Sequence, residues 1–96
     1  MKRIKELSKK YNEHLKSLGI ENENGCLSNM MDCPPSKKNS LLHARWMCYV
    51  LSDSPQEMEK EKAMRWLGFI QGVLYAHDIF TIDEMRDDVR QMLSQE

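Results

Sequence analysis

An all-α fold of four helices around a central antiparallel helical hairpin follows from three features of the sequence. Apolar residues recur at helical spacing in four segments, and capping signals open three of them. No segment alternates apolar and polar residues between turn signals at strand spacing. The 96 residues suffice for one core. They divide into an amphipathic helix over 1–19, a loop over 20–36 and a helical core over 37–96.

In the first segment Ile4, Leu7, Tyr11, Leu15 and Leu18 step by 3, 4, 4 and 3, one stripe of a helix with lysines on its other faces, and Gly19 supplies a C-cap. Two heptads are marginal alone, so this helix needs a partner, in the same chain or in another subunit. Residues 20–36 hold no period, and Pro34-Pro35 blocks a helix through them. Leu27, Met30 and Met31 make this loop less polar than a free linker and suggest that part of it lies on the core. A second helix is expected to start between Ser36 and Ser40, and its run LLHARWMCYVL predicts burial on more than one side.

Ser54-Pro55-Gln56-Glu57 combines an N-cap serine, proline at the first helical position and a glutamate three residues after the cap, which predicts the start of a third helix. Its apolar residues fill two stripes, Ala63, Leu67, Ile70, Leu74 with His77, and Trp66, Phe69, Val73 with Ala76. Gly68 and Gly72 lie one turn apart on one face. Each costs up to about 1 kcal/mol in a helix interior, which predicts another helix crossing close to their backbone. Thr81-Ile82-Asp83-Glu84 forms a second capping box, with Phe80 and Met85 placed as a hydrophobic staple. Ile82, Met85, Val89 and Met92 or Leu93 mark the buried side of the fourth helix.

At 41% hydrophobic and 30% charged residues the chain is too apolar to stay extended. No apolar run approaches the roughly 18 residues of a membrane span, so a cytoplasmic protein is expected. Residues 1–46 carry nine Lys/Arg against five acids and residues 47–96 five against ten, halves of +4 and −5. That asymmetry favours self-association into a homo-oligomer and argues only weakly for nucleic acid. Cys26, Cys33 and Cys48 read as reduced thiols. Cys26, Cys33 and His43 match no common zinc spacing, so neither a metal nor a cofactor is expected.

Arg45-Trp46 and Arg65-Trp66 repeat one pair on each arm of the hairpin. As a site they offer a planar fork for phosphate or carboxylate and an aromatic face for a base or a partner's apolar anchor; as structure they are core tryptophans with surface arginines. Lys37 and Lys38, just before the second helix, form a possible anion cradle, against the plain reading of solvated lysines. With His43 they rank as binding candidates after the Arg-Trp pairs. Cys48 with His43 or His77 is the sole thiol–histidine combination on helical elements, and no constellation with a defined mechanism appears, so the chain reads as a non-enzyme. The acids Asp83, Glu84, Asp87 and Asp88 are accounted for by the helix dipole. Eight methionines favour an adaptable binding surface.

The helix Glu61-Lys62-Ala63-Met64-Arg65-Trp66-Leu67-Gly68-Phe69-Ile70-Gln71-Gly72-Val73-Leu74-Tyr75, the segment Phe80-Thr81-Ile82-Asp83-Glu84-Met85-Arg86-Asp87 and the run His43-Ala44-Arg45-Trp46-Met47 resemble a group of small tailed-bacteriophage accessory proteins. That group shares an "EKAxRWLGFxQGxLW" helix, a "TIxELRD" segment and often an "H-x-R-W-M" helix. The likeness covers residues 41–90, and Tyr75 stands where the group commonly has tryptophan. The resemblance implies a binder in the host cytoplasm that counters bacterial defence, by blocking a defence protein or sequestering its nucleotide signal. In architecture the chain also resembles phage sponge proteins that oligomerise and trap cyclic nucleotides. The alternatives are a nucleic-acid-binding phage regulator that uses Lys2, Arg3, Lys5, Lys9, Lys10 and Lys16, and an adaptor in phage replication or packaging.

Overall fold

A computed structural model of the chain describes residues 2–20, 35–53 and 58–94. They form four helices, α1 (Lys2–Ser17), α2 (Lys37–Asp53), α3 (Lys60–Ala76) and α4 (Ile82–Ser94), with no strand among the described residues. None of these helices is long and apolar enough to cross a membrane.

The α1 stripe is buried at Ile4, Leu7, Tyr11 and Leu15. Its partner is in the same chain, since α1 packs on α2, α3 and α4 and most extensively on α2. Leu18 leaves the stripe and is half-exposed because α1 ends at Ser17 and the chain reverses at Gly19, whose φ is +83°. There the Gly19 N–H donates to Lys16 O (3.0 Å) and the Ile20 N–H to Leu15 O (3.1 Å), the paired bonds of a Schellman cap. The Ser36 hydroxyl caps α2 by accepting from the Asn39 N–H at 3.0 Å. α2 is covered on two sides, by α1 and α3, and buries Leu41, Ala44, Met47, Cys48 and Leu51 while Tyr49 faces out.

α2 and α3 form the expected hairpin. Ser40 meets His77, His43 meets Phe69 and Trp46 meets Trp66, an antiparallel order. The Ser54–Glu57 box lies outside the described residues, but Met58 and Glu59 are not helical, so α3 begins at Lys60, later than the box implies. Glu59 holds the cap position without a side-chain bond. Of the two α3 stripes, Ala63, Leu67, Ile70 and Leu74 are core, whereas Phe69 and Ala76 are exposed. Among the described residues no helix crosses Gly68 or Gly72, as a Cβ built on either meets nothing within 4 Å.

The second capping box is present. The Thr81 N–H donates to Glu84 Oε1 and the Glu84 N–H to Thr81 Oγ1, both at 3.1 Å. Met85 and Met92 are the buried residues of α4, while Ile82 and Leu93 are half-exposed. α4 runs antiparallel to α1, with Phe80 beside His14 and Asp88 beside Lys10 and Tyr11.

Candidate functional site

The expected site residues separate into three places because consecutive residues of a helix point about 100° apart. Arg45 turns toward α1, where its Nε donates to Asn12 Oδ1 (3.2 Å) and its Nη1 to Ile20 O (2.8 Å). It clamps the end of α1, which takes up two of its donor nitrogens. Trp46 turns toward α3 and meets Trp66 with ring centroids 5.6 Å apart and planes at 39°. Arg65 points outward, exposed and without a partner among the described residues. The repeated Arg-Trp pair is therefore one aromatic contact with its arginines on different surfaces.

Around that contact the α2–α3 seam gathers further groups. His43 stacks on Trp46 (centroids 5.6 Å, planes 27°) and receives Phe69 edge-on at 5.9 Å. Lys62 Nζ lies 5.6 Å from the Trp66 ring centroid. Both tryptophans and His43 are half-buried, and Phe69 is 51% exposed, so the seam is neither core nor a scatter of single apolar residues. His43 Nδ1 is buried without a partner among the described residues, and burial holds the ring below its usual range of protonation. Lys37 and Lys38 are exposed in the first turn of α2. They stand about 12 Å or more along the helix axis from Trp46 at 1.5 Å per residue. In that turn the Ser40 hydroxyl donates to Lys37 O and bonds His77 Nε2, both at 2.8 Å, and Ser36 takes the Asn39 N–H, which leaves fewer groups for a phosphate.

The thiol–histidine combination does not form. Cys48 is fully buried in the core and burial pushes its thiol up to about 12, while His43 is engaged by Trp46 and His77 by Ser40. Cys26 and Cys33 lie outside the described residues. No group of three His, Cys, Asp or Glu residues placed for a metal occurs among the described residues.

A second polar constellation was not foreseen. The Tyr11 hydroxyl donates to Asp88 Oδ2 (2.8 Å) and accepts from Gln71 Nε2 (3.1 Å), and Lys10 Nζ binds Asp88 Oδ1 (3.1 Å). This node joins α1, α3 and α4 and gives Asp88 a role other than complementing the α4 dipole. Burial, together with the Asp88 carboxylate, raises the Tyr11 phenol well above its usual pKa. A tyrosine within an aliphatic stripe was the available signal, since a buried hydroxyl requires a partner. The seam's Phe69 and Lys62 were likewise legible as neighbours of Trp66 at positions i+3 and i−4.

No family model, curated protein or solved structure matches the chain.

Proposed function

We propose that this protein is a non-enzymatic phage accessory protein that counters bacterial defence by binding a protein of the host. The observation that carries the binding role is the half-exposed aromatic seam of His43, Trp46, Trp66 and Phe69, edged by Lys62. Aromatic residues with a basic edge are the composition of interface hot spots. The phage and anti-defence parts of the reading rest on the resemblance of residues 41–90. A protein surface fits the seam better than a nucleotide. Trp46 and Trp66 touch each other, one face of Trp46 is taken by His43, and Arg45 is committed to Asn12 and Ile20, so no open slot pairs a base-stacking face with a phosphate fork. Burial of Cys48, the thiol among the described residues, supports a non-enzymatic role.

The nucleic-acid alternative is weakened where α1 spends charge internally, with Lys10 held by Asp88 of α4 at 3.1 Å.

The test is phage plating on bacteria that carry a defence system and express the protein. Wild-type protein is expected to restore plating, and the Trp66→Ala, Phe69→Ala double variant to lose it with helicity retained. Equal plating by that variant would remove the seam from the mechanism. The chain's two tryptophans both lie in the seam, so intrinsic fluorescence reports on it directly. A fluorescence change on titration with cyclic dinucleotides, lost in Arg65→Ala, would move the reading to capture of a nucleotide signal.

A further inference from the structure

The flank of α3 opposite the aromatic seam is bounded by α4, which packs more on α1 than on α3. Between α3 and α4 runs a groove of about 450 Å³ lined by Gln71 of α3 and by Ile82, Met85, Arg86, Val89 and Arg90 of α4. The spacing of Ile82, Arg86, Val89 and Leu93 is 4, 3 and 4, so they form one stripe along α4. Its two ends are aliphatic and open to solvent, Ile82 at 51% and Leu93 at 52%.

We infer that this stripe is a self-association surface, on which α4 of a second copy of the chain lies antiparallel in the groove. The stripe is complementary to itself under a two-fold axis. With the axis between Arg86 and Val89, Ile82 meets Leu93 of the second copy and Arg86 meets Val89, each contact occurring twice. Charge selects this orientation. Asp83 and Arg90 are seven residues apart and flank the stripe on the same side, one near each end of α4. Antiparallel pairing sets Asp83 beside Arg90 of the second copy in two symmetric pairs, whereas parallel pairing puts the flanking charges of the two copies on opposite edges of the contact, where they do not meet.

The present partners of these charges do not stand in the way. Arg86 reaches Asp83 at 4.0 Å and Arg90 reaches Asp87 at 3.5 Å, in exposed pairs along the same helix that are worth little and exchange readily. Arg86 lies within the stripe, where its aliphatic stem covers apolar surface while the guanidinium extends to the rim. The surface is independent of the aromatic seam and leaves it free.

Sedimentation equilibrium of the full chain across a concentration series tests the inference, with far-UV circular dichroism on every variant. The wild-type chain is expected to reach twice its monomer mass. Leu93→Glu should raise the dimer dissociation constant by about ten-fold or more while the helix content holds. Asp83→Lys and Arg90→Glu should each weaken the dimer, and the two together should restore it toward wild type. If Leu93→Glu lowers the helix content, the charge exchange carries the test alone. A chain that stays monomeric at every concentration, a dimer indifferent to Leu93→Glu in a folded variant, or a double charge variant no tighter than the singles would each overturn the inference.

Discussion

α1 and α3 exchange the roles that their composition suggests. α1 is the more charged helix and reads as marginal on its own, with a partner in this chain or another subunit, yet Ile4, Tyr11 and Leu15 are fully buried and the helix touches all three others. α3 is apolar over a wide arc and reads as the centre, yet only the Ala63, Leu67, Ile70 and Leu74 stripe is core, and Phe69 and Tyr75 stand half-exposed. Burial depends on how closely a face is covered, and the narrow stripe of α1, set among three helices, supplies as many buried apolar residues as the broad arc of α3, four each. The surplus apolar surface of α3 is what remains for binding.

The comparison breaks most sharply by truncation. Leu15→Ala is expected to cost about 2–5 kcal/mol in chemical denaturation, because it empties a closed site. Phe69→Ala, which removes the larger side chain, should stay within about 0.5 kcal/mol, as exposed positions do. Equal losses would mean that Phe69 belongs to the core after all.

Tyr11→Phe is the next largest, at about 1–3 kcal/mol, since it deprives Asp88 and Gln71 of a shared partner in a partly buried site. The same residue shapes the response to pH. In the folded chain burial raises Tyr11 above the ordinary 10.0 of a phenol and Cys48 from the ordinary 9.0 of a thiol to about 12. Their contribution is complete below pH 9, where folded and unfolded chains both hold the protons. It is lost as pH rises further, since the unfolded chain releases protons that the folded chain retains. His43 acts on the other side. Its lowered pKa means that stability is complete above the ordinary 6.5 of an imidazole and falls on acidification, as the unfolded chain gains a proton that the seam resists. Melting temperature measured against pH should show both limbs. Tyr11→Phe should flatten the alkaline one, and His43→Leu the acidic one.

The smallest effects distinguish two glycines. Gly19→Ala should cost about 1–2 kcal/mol, because its φ of +83° strains any L side chain. Gly72→Ala should instead stabilise by up to about 1 kcal/mol through helix propensity, as the added methyl meets nothing. A loss at Gly72 would restore the crossing helix that its spacing suggests, here as a partner in an assembly.

The elements whose signals are local were legible in sequence. Ser36, Gly19 and the Thr81–Glu84 box cap their helices through bonds that span a few residues, so type and spacing suffice to find them. The hairpin order was legible as well, because α2 and α3 adjoin in the chain. What could not be read is which face of a helix meets which neighbour. Neighbouring residues of one motif went to different surfaces, so Arg45 became a clamp on α1 and Trp46 part of the seam, and Arg65 separated from both. The Tyr11–Asp88 bond spans 77 positions, and no spacing rule connects such residues.

That bond also bears on how the chain is made. At about 5–20 residues per second a ribosome takes roughly 4 to 15 s to pass from Tyr11 to Asp88. Throughout that interval the first helix lacks its final hydroxyl acceptor. α2 first and α3 after it, both synthesised sooner, can shelter its apolar stripe while α4 is still being translated. The pairing of α1 with α2 is thus the natural holding state of the nascent chain, and closure of the phenol on its carboxylate is a step reserved for the end of synthesis.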